Sequence, residues 1–142
     1  MRRFAKHLMD YETLRDKSSR AKLSPTFPVT DKLRPLLATL MGNGGFRALF
    51  SRALALAGAE VVWLRAVQVG ADGALEGLEA PHAQLDRTEF LEGKVVLLAQ
   101  LLELLVAFIG TSLTLRLLSE IWPQISFDDL DFDTGGDNEK VE

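Results

Sequence analysis

The sequence predicts a mainly α-helical protein, a small helical bundle around one long central apolar helix. Three observations predict this fold class. The stretch from Lys94 to Leu118 is the longest and most apolar run of the chain. Two segments before it repeat apolar residues at helical spacing, and glycine or proline lies between these segments.

The long apolar stretch requires cover on several sides. In an α-helix each residue advances about 100°, which confines Gln100, Glu103 and Thr114 to one narrow sector and leaves leucine around the rest. This apolar surface is wider than the stripe of an ordinary surface helix. Either the interior of a bundle or a bilayer could enclose residues 95–118. In a bilayer, Glu103 would lie near the midplane, where placing a carboxylate costs several kcal/mol of free energy. We therefore expect a bundle, with a membrane-anchored helix 95–118 as the alternative.

Composition limits the class of protein. The 142 residues are 47% hydrophobic, which predicts a single domain with a tendency to self-associate. The chain has no cysteine, so disulfides and cysteine-ligated zinc are excluded. No signal-peptide pattern begins the sequence, so we expect a cytoplasmic protein.

Charge divides the chain into three parts. Residues 1–28 are predicted to be a basic, flexible N-terminal arm, with a short helix allowed by the spacing of Phe4, Leu8 and Tyr11. Residues 29–123 are the helical domain. Residues 124–142 form an acidic C-terminal tail with seven Asp and Glu against one Lys. Acidic residues also interrupt the basic arm, so we do not expect nucleic acid as a partner.

The helical domain begins with a short amphipathic helix. Thr30 or Asp31 is its predicted N-cap, and leucines follow at helical spacing. The segment GNGG at 42–45 ends it. This segment lacks the Lys and Ser/Thr of a phosphate-binding loop, so a helix stop and turn is the better interpretation.

A second helix is predicted from Phe46 to Ala57. Arg47 and Arg52 are its only charged residues. Together with Glu103 they are the candidate buried ionisable residues. In this interpretation, one of the arginines pairs with Glu103 or binds an anionic group. The alternative is an ordinary solvated face.

The segment from residue 60 to residue 78 fits two structures. A short β-hairpin near 65–78 with the turn GADG is one, and a helix to Val67 followed by a loop is the other. Trp63 either fills core space or marks an exposed docking site. The long helix then begins at an N-cap supplied by Asp86 or Thr88, and Pro123 ends it.

The tail alternates acidic and apolar residues. Its candidate partner-binding residues are Phe127, Leu130, Phe132, Asp129 and Asp131. These residues predict either a linear docking motif, with aromatic groups in a groove and carboxylates against basic residues, or a plain disordered tail. The aspartate spacing does not make a calcium loop, because Thr134 and Lys140 occupy the positions of the required Gly and Glu.

The sequence does not predict an active site. His7 and His82 are the only histidines, and no GxSxG or metal-binding helix motif occurs. We expect no cofactor, no metal and no catalytic residue. The favoured hypothesis is a non-enzymatic, adaptor-like interaction or regulatory protein that binds itself or a larger protein partner. A membrane-anchored protein and a carrier with a small-ligand site between helices are the alternatives.

Overall fold

The computed structural model describes residues 1–15 and 28–124 and confirms a mainly α-helical fold with a small β-hairpin. The elements are α1 (Arg2–Arg15), α2 (Pro28–Glu60), a 3₁₀ helix (Val62–Ala66), β1 (Gln68–Val69), β2 (Leu75–Glu76), α3 (Glu79–Gln84), α4 (Arg87–Ile109) and α5 (Thr111–Ile121). Helix α4 is central and packs against α1, α2, α3 and α5.

Helix α1 corrects the prediction of a flexible arm over residues 2–15. Phe4 and Leu8 are fully buried, and α1 packs on α4. Arg2, Arg3 and Lys6 are exposed. The physical reason is the one-turn spacing of the apolar residues, which gives this basic segment one apolar face for the core.

Helix α2 bends where the glycine cluster predicted a break. Gly42 has φ 81° and ψ 159°, so two helical parts meet there. Glycine adopts this positive φ without the clash that a Cβ would cause. The predicted caps Thr30 and Asp31 lie inside α2, which begins at Pro28, since proline suits the first helical position.

The predicted hairpin is present. Strands β1 and β2 are antiparallel, with Gln68 opposite Glu76 and Val69 opposite Leu75. The amide of Gly70 donates to the carbonyl of Ala74 at 2.8 Å and closes the turn. The strands are shorter than the predicted range because residues 62–66 form the 3₁₀ helix.

The single long helix predicted over 94–118 is two helices. Its start is as predicted, since the Asp86 side chain accepts a hydrogen bond from the Glu89 amide at 2.8 Å. At Gly110 the backbone turns to φ 92° and ψ 160°, which ends α4, and α5 starts at Thr111. Helix α5 then ends before Pro123, as the sequence predicts. Among the described residues, none of the helices has the length and hydropathy needed to cross a bilayer.

Candidate protein-interaction surfaces

The predicted cluster of buried ionisable residues does not form. Arg47 and Arg52 are exposed, and Glu103 is half-buried. The Nε of Arg47 donates to the carbonyl of Gly70 at 3.0 Å, so this arginine fixes the hairpin. The five candidate residues of the tail, Phe127, Leu130, Phe132, Asp129 and Asp131, lie outside the described residues.

Glu103 instead acts on Arg2 of α1. The pKa of Arg2 is raised, mainly by its hydrogen bond to Glu60 and to a smaller extent by the negative charge of Glu103. The same hydrogen bond lowers the pKa of the exposed Glu60. Arg2 therefore lies near both the C-terminal end of α2 and the C-terminal half of α4.

The buried carboxylate belongs to Glu12, which sequence reasoning missed. Glu12 is 2% exposed. Its Oε2 accepts hydrogen bonds from Lys32 Nζ at 2.6 Å and from the indole Nε1 of Trp122 at 2.5 Å. Within residues 1–15 and 28–124, its Oε1 has no hydrogen-bond partner. The four-residue spacing of Phe4, Leu8 and Glu12 is the signal that places Glu12 on the buried face of α1.

The Glu12 contacts join three helices that are distant in sequence. They connect α1 to the first turns of α2 and to the residue after α5. Beside them, the Tyr11 hydroxyl donates to Gln124 Oε1 at 3.1 Å. A buried carboxylate is stabilised by such donors, so the arrangement is suited to holding the fold together.

An aromatic cluster covers the N-terminal half of α4. The Trp63 and Phe90 rings stack with centroids 5.3 Å apart, and His82 meets Phe90 edge-on at 5.3 Å. A Cβ at Gly93 would lie 2.3 Å from the Trp63 ring, so only glycine leaves room for it. Trp63 is half-buried in this cluster, which favours the core interpretation of this residue over an exposed docking site.

Lys94 lies against the same cluster. Its Nζ is 5.0 Å from the centroid of the Phe90 ring. Burial lowers the pKa of Lys94 to about 8, and the charge of Asp31 opposes this shift. The shift follows from desolvation, since removing an ammonium group from water disfavours its charged form.

The corner between α4 and α5 exposes apolar surface. We use "the α4–α5 corner" for residues 104–113. Phe108 is 65% exposed, and Ala107 and Gly110 are exposed beside it. Leu104, Ile109 and Leu113 are only partly buried. Helix α4, the most apolar of the helices that the structure describes, therefore has an exposed aromatic side chain near its C-terminal end.

More apolar surface lies at the C-terminal end of α2. Leu56 is 41% exposed and Val62 is 68% exposed. Glu60 lies between them and forms the ion pair with Arg2. Arg2 pairs with Glu60 at this second apolar surface, and it also feels the charge of Glu103 in the C-terminal half of α4, which carries Phe108.

A groove separates the second half of α2 from the 3₁₀ helix and β1. Its volume is about 630 Å³. Ser51, Ala55 and Ala59 line one side, and Leu64, Val67 and Val69 contribute apolar surface from the other elements. Small residues on α2 leave the space open. Arg65 also lines the groove, and its Nε donates to the carbonyl of Gly58 at 2.9 Å.

Within residues 1–15 and 28–124 there is no group of three or more His, Cys, Asp or Glu placed to hold a metal ion. Comparison with known protein families, curated proteins and solved structures finds no match to this chain.

Proposed function

We propose that the protein is a non-enzymatic interaction protein of the cytoplasm that associates with a second copy of itself through the α4–α5 corner. The observation that carries the proposal is the 65% exposure of Phe108 at the end of a helix whose other large residues are mostly buried. Fully burying a phenylalanine side chain contributes roughly 1.5–3 kcal/mol. Phe108 is 65% exposed, so a two-fold contact gains about two-thirds of this contribution from each protomer.

The charges near the corner favour a second copy as the occupant. Arg2 carries positive charge, and Glu60 and Glu103 carry negative charge close to it. A two-fold axis places the same surface on both sides of a contact. If the contact extends from the corner to Arg2 and Glu103, the positive group of one protomer approaches the negative group of the other. A larger protein partner would not require both signs of charge on one surface.

The test is the concentration dependence of the molecular mass in sedimentation velocity, with Phe108→Ser as the variant. We expect the unmodified protein to shift from monomer to dimer as concentration rises. Phe108→Ser should weaken the dimer by about tenfold or more, as expected when an aromatic residue at the centre of an interface is removed. Circular dichroism checks that both proteins are equally folded.

Leu40→Ser is the matched control. Leu40 is also an exposed apolar residue, at 46%, but it lies just before the Gly42 bend of α2. We expect its variant to dimerise like the unmodified protein. A monomer at every concentration, or equal weakening by the two variants, contradicts the proposal.

A further inference from the structure

We infer that the groove between α2 and β1 binds the chain's own C-terminal segment, residues 129–133, in an extended conformation. This inference concerns a different surface from the α4–α5 corner and does not depend on self-association.

The segment has the alternation of an extended strand. Its sequence is Asp129, Leu130, Asp131, Phe132 and Asp133. Successive side chains of an extended chain point to opposite sides. Leu130 and Phe132 therefore share one side, and the three aspartates share the other.

The groove provides a matching apolar surface. Leu64, Val67 and Val69 line it opposite the small residues of α2, and its volume of about 630 Å³ accommodates two large side chains. In the described part of the chain, β1 pairs with a single strand, β2. An extended segment beside such a strand can add main-chain hydrogen bonds to the contacts of its side chains.

Charge favours an acidic occupant. Arg65 lines the groove, Arg52 follows the groove residue Ser51, and Arg47 bonds to Gly70 next to Val69. Three acidic residues lie nearby. Glu60 forms an ion pair with Arg2, Glu76 lies opposite Gln68 in the hairpin, and the Asp72 side chain accepts a hydrogen bond from the Ala74 amide in the turn. With Arg2 counted, four arginines stand against these three acidic residues, and the aspartates of the segment supply further negative charge.

The segment reaches the groove within one chain. Gln124 is fixed to Tyr11, and Arg2 lies nine residues back along α1, about 14 Å away. Arg2 in turn pairs with Glu60, the neighbour of the groove residue Ala59. The six to eight residues from Gln124 to Leu130 and Phe132 extend to about 20–28 Å. This length exceeds the distance of about 14 Å from Tyr11 to Arg2.

The test uses the absence of cysteine from the chain. A nitroxide spin label on Thr134→Cys, the position after the segment, has a single attachment site. We expect the oxidised label to weaken the NMR signals of the Ala55 and Val69 amides in the groove, relative to the reduced label. The amides of Thr111 and Ser112 in the α4–α5 corner should keep their signals.

Two variants and one mixture complete the test. Replacing Leu130 and Phe132 with serine should restore the groove signals, whereas Phe127→Ser, outside the alternating segment, should leave the weakening in place. Unweakened groove signals in the labelled chain would overturn the inference. So would weakening that also appears when an unlabelled ¹⁵N chain is mixed with a labelled ¹⁴N chain, because the occupant would then come from a second copy.

Discussion

Two phenylalanines of α4 have opposite environments although they lie on the same side of the helix. Phe90 and Phe108 are eighteen residues apart, about five full helical turns. Phe90 is 9% exposed and lies between Trp63, His82 and Lys94, whereas Phe108 is 65% exposed. The helical repeat sets the direction of each side chain, but the neighbouring elements decide whether it is covered.

The comparison also explains why the exposed ring has functional interest. The 3₁₀ helix and α3 supply the residues that cover Phe90. At the other end, Gly110 ends α4 one residue after Ile109, and α5 begins with the exposed residues Thr111 and Ser112. Other elements of the same chain cover Phe90. We propose that a second copy of the chain covers Phe108.

Phe90→Ala should have the largest effect on folding. We expect the free energy of unfolding to fall by about 3–5 kcal/mol, because the variant removes a buried ring and leaves a cavity beside Trp63. Urea denaturation followed by circular dichroism measures this change. A loss below about 1 kcal/mol would mean that the cluster collapses around the missing ring, and the contrast with Phe108 would disappear.

Gly93→Ala tests the space under the Trp63 ring. Alanine normally stabilises a helix interior by about 1 kcal/mol relative to glycine. Here its Cβ would lie 2.3 Å from the ring, so we expect a net loss of about 1–3 kcal/mol instead. Gly44→Ala is the control, since nothing lies within 4 Å of its added Cβ. The melting temperature should fall for Gly93→Ala and rise for Gly44→Ala. A shift of both variants in the same direction would contradict this packing.

Lys94→Met tests the charged part of the cover on Phe90. The pKa of Lys94 is lowered from 10.5 to about 8, so between these pH values the folded state binds fewer protons than the unfolded state. The stability of the unmodified protein should therefore rise with pH through this window. Lowering this pKa by that amount corresponds to roughly 3 kcal/mol, so we expect the variant to be more stable than the unmodified protein by about this much below pH 8 and to lose the advantage as the pH approaches 10.5. Urea denaturation of both proteins at pH 7 and at pH 10 measures the difference in their free energies of unfolding. The same difference at both pH values would contradict the prediction.

Phe108→Ala should have the smallest effect on the folded monomer. We expect the free energy of unfolding at low protein concentration to change by less than about 0.5 kcal/mol, because the ring has few contacts to lose. Urea denaturation in dilute solution provides the measurement. A loss similar to that of Phe90→Ala would show that the α4–α5 corner is covered within the monomer.

The sequence predicted the parts of the fold that depend on local chemistry. The bend at Gly42, the Asp86 cap and the hairpin turn each follow from a residue type whose backbone or side-chain preference acts within a few residues. The break at Gly110 was missed because leucines on both sides continue the apolar pattern. Hydrophobic spacing does not reveal the φ of one glycine.

The candidate sites were harder to predict because they depend on tertiary neighbours. A helix that is apolar on most sides does not show which residue will stay exposed, so Phe108 could not be distinguished from Leu101 or Leu105. Glu12 was missed for a related reason. Its partner Trp122 is 110 residues away, and no local pattern connects them.

The bond between Glu12 and Trp122 also has a consequence for biosynthesis. Translation proceeds from the N-terminus, so α1 leaves the ribosome well before α4, on which it packs, and before Trp122. Until α4 and Trp122 have been synthesised, Phe4 and Leu8 therefore lack their final cover. We expect the apolar residues of the α1 segment to be open to the ribosome surface and to chaperones during this interval.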